Sequence, residues 1–160
     1  MIPMAANSTT ESENKALIRR WFDEVWNQGR HELIDQLRAP DAIVTGLGEG
    51  NVRSEGPAPF KAFFSNVRTA LPDVHVKIED ILSDGDKVAV RLSIEGTHLG
   101  EGFGTPPTGN TVQFTAMIIA RIANGKLVEA WNNIDQLHLL TQVGAIPANL
   151  GPDRFIGRRS

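Results

Sequence analysis

At 160 residues the chain is sized for one domain with one sizeable core. Its formal net charge of −3 comes from 16 basic and 19 acidic residues mixed along the chain, with no basic stripe for a phosphate backbone, so nucleic acid is not an expected partner. There is no cysteine, which removes disulfides, thiolate chemistry and cysteine-based zinc sites and leaves carboxylate, imidazole, amide and hydroxyl groups for any catalysis.

Met1 to Ser8 hold no basic n-region and no apolar run of useful length, and no later segment is apolar long enough to cross a bilayer. The expectation is a cytoplasmic protein with no membrane partner, whose residues 1–9 are a disordered tail. Thr10 and Glu13 stand at capping-box spacing, and Leu17, Ile18, Trp21, Phe22, Val25 and Trp26 recur at helical intervals until Gly29. This predicts an amphipathic helix over 10–28. A shorter helix over 31–37 buries Leu33, Ile34 and Leu37, and Ala42 to Leu47 reads as a brief strand. After the polar run 51–56, Pro57 opens a third helix with Phe60, Phe63, Phe64, Val67 and Leu71 on one stripe, closed by Pro72.

From there the period changes from 3.6 to 2. Val74, Val76 and Ile78 alternate with polar residues, as do Val88, Val90, Leu92 and Ile94. A three-residue loop, Asp84 to Asp86, would pair Ile78 with Leu92 and Val76 with Ile94 and keep the apolar faces together. A Gly/Pro-rich connection over 100–110 precedes a long strand, Thr111 to Ala123, and Asn124-Gly125 signals a type I′ hairpin. A two-residue loop there pairs Ala123 with Lys126, and therefore Ile118 with Trp131 and Phe114 with Asp135, and puts Glu129, Trp131, Asn133 and Asp135 on the face of Phe114 and Ile118. A last helix runs from Gln136 to Val143, and 148–160 reads as an irregular tail. Helices segregated to one face of a curved antiparallel sheet make an α+β cone around an apolar pocket, one domain over 10–147.

Asp135 is the leading candidate for acid/base chemistry, because a carboxylate among aromatics loses solvation and becomes a better base near neutral pH. It also stands directly before a helix, where an N-cap aspartate accepts a backbone N–H instead. His98 continues the apolar face of its strand and is the second catalytic candidate. Trp131, Asn133, Glu129, Phe114, Ile118, Trp21 and Phe63 are the candidate lining of a site for a small apolar or polycyclic ligand. His31, His75 and His138 lack the spacing of a metal cluster, and neither a dinucleotide fingerprint nor a Gly-x-Ser-x-Gly elbow is present, so no metal and no cofactor are expected.

The run Gly96-Thr97-His98-Leu99-Gly100-Glu101, the Pro106-Pro107-Thr108-Gly109 loop, the segment Asn124 to Trp131, Asp135 and the closing Leu139 to Ala145 together resemble the SnoaL-like polyketide cyclases, over about Ala16 to Pro147. The resemblance implies the nuclear-transport-factor-2-like cone shared with ketosteroid isomerases, a homodimer, and cofactor-free intramolecular aldol condensation with Asp135 in the position of the family's acid/base aspartate. Many relatives carry a histidine in the first strand, where this chain has Thr45-Gly46-Leu47. Isomerase, dehydratase and epoxide hydrolase chemistry on the same cone stay open, as does a non-catalytic ligand-binding or dimerisation role.

Overall fold

The computed structural model describes residues 4–48 and 50–147. Helix α1, Met4–Arg20, continues without a break into a π-helical segment, Trp21–Asn27. Residues 4–9, expected as tail, are therefore helical, while 1–3 and the expected tail 148–160 lie outside the described residues. The wide π turn suits a stretch that must bury Trp21, Phe22, Val25 and Trp26 on one side. A 3₁₀ turn, His31–Leu33, leads into the short α2, Ile34–Leu37. Strand β1 is Arg38–Thr45 and β2 is Arg53–Glu55, the latter falling in the run read from sequence only as polar. Helix α3, Pro57–Ala70, starts on a proline after Gly56 at φ +84° and buries Phe60 and Phe64.

The remaining strands are β3 (His75–Asp84), β4 (Lys87–Thr97), β5 (Thr111–Ala123) and β6 (Lys126–Ile134), with α4 (Gln136–Gln142) closing the chain. They form one six-stranded sheet in the order β2-β1-β6-β5-β4-β3. All neighbours are antiparallel except β1 with β6. Bulges in β3 and β6 bend and twist the sheet, so that it curves around α3 and the π segment over a single apolar core that joins both layers. This is the expected α+β curved-sheet architecture.

Two registers differ from their derivation in sequence. The β3–β4 turn is the two-residue Gly85-Asp86, with Asp84 opposite Lys87, and not a three-residue loop. A bulge at Glu79 then restores Ile78 opposite Leu92 and Val76 opposite Ile94. The β5–β6 turn forms as expected, with Asn124 and Gly125 at φ +52° and +71° and Ala123 opposite Lys126. Two residues on, β6 steps: Ile122 faces Leu127 but Arg121 faces Glu129, leaving Val128 as the extra residue. Beyond it Ile118 pairs with Asn132 and Ile119 with Trp131, so neither expected pairing, Ile118 with Trp131 or Phe114 with Asp135, is formed. The bulge is what lets Leu127 and Ala130, three residues apart, both be buried.

Candidate functional site

On the concave side of the sheet lies a cavity of about 290 Å³, at the lower edge of the range for small-molecule sites. Its helical wall comes from the π segment and α3. Trp21 sits 5.1 Å from Phe60, and Trp26 packs edge-on at 5.0 Å from Phe64 and 6.1 Å from Phe63. Such tilted and edge-on pairs contribute roughly 0.5–1.5 kcal/mol each beyond the area they bury. The sheet wall is Leu92, Ile94, Phe114, Ala116, Ile118 and Ile134.

Three amides supply the polar lining: Asn66 from α3, Asn132 from β6 and Gln136 from the first turn of α4. Asn132 donates Nδ2–H to the Thr45 carbonyl at 3.0 Å, and Gln136 donates Nε2–H to the Gly48 carbonyl at 3.0 Å. Each is held in place by one N–H and keeps its second N–H for a ligand. Gly46 explains the first-strand sequence Thr45-Gly46-Leu47. It has φ +85°, and a Cβ there would overlap the Asn132 carbonyl oxygen, so glycine is required for β1 to close over β6, and Leu47 joins the cavity lining.

A small inner extension of about 30 Å³ shares Trp21, Phe22, Leu47, Phe60, Ile118 and Asn132 with the main cavity and adds Arg38. Arg38 is 2% exposed. Its Nη2 donates to the carbonyls of Ala42 and Gly56 at 2.9 and 2.7 Å, and its guanidinium lies 5.9 Å from the Phe60 ring centre. Burial pulls its pKa down, partly opposed by the charge of Asp35.

Of the residues expected at the site, Trp21, Phe63, Phe114 and Ile118 line the cavity. Four others do not, because the Val128 bulge turns their side chains to the outer face. Asp135 is exposed and caps α4, its Oδ1 accepting His138 N–H at 3.1 Å, which is the cap geometry weighed from sequence. It faces a shallow outer groove with His75, Lys77, Gln113 and His138. Trp131 lies under the Lys87 ammonium, 5.6 Å from its ring centre. Glu129 pairs with Arg121 at 3.4 Å, and Asn133 is exposed. His98 is wholly buried, as its strand parity implied, but it does not line the cavity and is not among the groups around Asp135. Its Nδ1 meets Thr108 Oγ1 at 3.1 Å and its ring packs 5.7 Å from Phe103, which stands between it and the cavity.

Sequence reasoning missed Asn132, Gln136 and Arg38. A bulge would have revealed the two amides, and the only mark of Arg38 is its place between Leu37 and Ala39 at the head of a buried strand. Among the described residues, the cavity proper is lined by no carboxylate and no imidazole, and no group of three or more histidine and acidic side chains could hold a metal. The site can therefore enclose an apolar ring system and offer amide donors to its oxygens. No described helix is long and apolar enough to cross a membrane.

The family model for SnoaL-like polyketide cyclases matches residues 16–143. The aklanonic acid methyl ester cyclase DnrD of Streptomyces peucetius is 26% identical over 129 residues, 80% of this chain and 88% of that protein. Among solved structures, AclR of Streptomyces galilaeus, provisionally named a hydroxylase, superposes with a TM-score of 0.78 at 27% identity, over 92% of this chain and 89% of that one. A provisionally named SnoaL-like polyketide cyclase from Jannaschia sp. CCS1 gives 0.77 at 26% identity, over 86% and 95%.

Proposed function

We propose, for a chain that belongs to the SnoaL-like polyketide cyclase family, that the cavity takes an apolar, enolisable polycyclic ketone of polyketide type and closes a ring on it by intramolecular aldol condensation. The observation that carries this reading is an aromatic-walled cavity with two fixed amides, Asn132 and Gln136, in its lining. A carbon between two carbonyls loses a proton, the enolate carbon bonds to another carbonyl carbon of the same molecule, and the resulting alkoxide is protonated, so the product is an isomer of the substrate. Folding the chain into a near-attack shape and donating to the enolate oxygen are the steps this cavity supports.

The family resemblance assigns proton transfer to Asp135. The cap bond to His138 and the outward side chain favour a different part for it, holding the first turn of α4 so that Gln136 stays in the lining. Proton transfer then goes to and from water. The test is deuterium exchange and ring closure with a tricyclic β-diketone. Asn132→Leu is expected to lose about 10²-fold in turnover, whereas Asp135→Asn, a cap of equal quality, stays within a few-fold. Abolished turnover in Asp135→Asn at unchanged stability returns the aspartate to the role of base.

The lack of a carboxylate or imidazole in the described cavity lining favours a second reading, a non-catalytic binder of the same ligand class. It predicts saturable binding with no exchange above the solvent rate. Either way, the outer sheet face, where Met117 is 60% and Ile119 is 45% exposed beside Trp131, is the surface we assign to a second copy of the chain.

A further inference from the structure

We propose that Arg38 makes the inner extension of the cavity a receptor for a planar oxyanion, a carboxylate or an enolised β-dicarbonyl, carried on the leading edge of an apolar ring system. The inference rests on the reading of the cavity as a ligand site and adds the chemical class of the group that enters first. A guanidinium holds its charge at any pH a folded protein meets and presents five N–H donors. Here Nη2 is satisfied by the Ala42 and Gly56 carbonyls, while Nε and Nη1 are buried with no hydrogen-bond partner.

No ion pair among the described residues includes Arg38. Its other close company is the face of Phe60 and an apolar shell that includes Val44, Val90 and Leu127. Asp35 is the acidic group whose charge acts on Arg38, without forming an ion pair, and a buried cation with free donors is unfavourable unless an anion or strong acceptor completes them. Arg38 is part of the extension's lining, which has Trp21, Phe60 and Asn132 in common with the main cavity. A ligand that fills the main cavity with its rings can place an oxyanion there, where the low dielectric of a buried site strengthens each charge-assisted bond. The competing occupant is a single water, which the 30 Å³ extension would admit.

Titration of the full chain with anthraquinone-2-carboxylate and with its methyl ester, followed by quenching of tryptophan fluorescence, separates the two. The acid is expected to bind about tenfold more tightly than the ester, in competition with it for one site. In Arg38→Met the preference for the acid over the ester is expected to vanish. Arg38→Lys, which keeps the charge, retains part of the preference and serves where the methionine variant does not fold. Equal binding of acid and ester by the wild type, or a preference that survives in Arg38→Met, overturns the inference and leaves the cavity reading standing. Failure of both probes to bind overturns both.

Discussion

The hairpins β3–β4 and β5–β6 each contain a two-residue turn and one surplus residue, yet only in the first do the apolar pairs expected from sequence, Ile78 with Leu92 and Val76 with Ile94, form. In β3–β4 both strands alternate sharply, Val76 and Ile78 against Val88, Val90 and Leu92, so the buried faces specify the pairing whatever the turn does. In β5–β6 the apolar residues occupy both parities: Ala116, Met117, Ile118, Ile119 and Ala120 run without a break, and β6 offers Leu127, Val128, Ala130 and Trp131. The pattern there is silent, the turn alone set the register, and the turn was right while the bulge after it went unread. Apolar alternation carries more register information than turn chemistry, because a bulge can cancel a turn's count but cannot move a buried face into water.

The register of β6 can be tested all-or-none, since the chain has no cysteine of its own. Met117 and Asn133 are directly opposed in the bulged ladder, whereas an unbulged strand would oppose Asn133 to Ala116. The pair Met117→Cys with Asn133→Cys is expected to form a disulfide under mild oxidation, seen as a resistant compact band without reductant, and Ala116→Cys with Asn133→Cys is not.

An aspartate closes the open end of each hairpin, and the two differ in what they hold. Asp135 caps α4 beyond β6, so Asp135→Ala is expected to cost about 1 kcal/mol in urea unfolding, and Asp135→Asn under about 0.5. A loss of 1 kcal/mol in both would show that the charge matters beyond the cap.

Asp73 ties the start of β3 to the end of β4, accepting from the Thr97 N–H and Oγ–H at 2.7 Å each. Those bonds hold its pKa below the usual aspartate value. A group depressed in the folded state adds stability above its unfolded pKa and loses it as pH falls through the folded one. The melting temperature should therefore drop more steeply below about pH 4 in the wild type than in Asp73→Asn. The difference is the smallest of these effects, because Asp73 is exposed and solvent screens it. Parallel acid limbs would assign the tie no net stability.

The helices were legible because their stripes are long: six apolar residues between Leu17 and Trp26 at 3.6 spacing, and Phe60, Phe64 and Val67 behind Pro57. The cavity's aromatic wall followed from those stripes. Its polar groups did not, since Asn132 and Gln136 reach the lining only through the extra residue at Val128, and Arg38 is buried against the ordinary habit of its residue type. Asp135 shows the converse. Both uses of the residue were visible in the sequence, and the bulge decides which face it has.

Asn27, the last residue of the π segment, donates Nδ2–H to the Val76 carbonyl at 2.9 Å and accepts the Val76 N–H on Oδ1 at 2.7 Å. One side-chain amide thus plays the part of a neighbouring strand for one residue of β3, which stands at the sheet's rim. A rim already occupied there offers no template at Val76 to an extended segment of another molecule, so adhesion by edge-to-edge growth is blunted beside the cavity wall that Val76 helps to form.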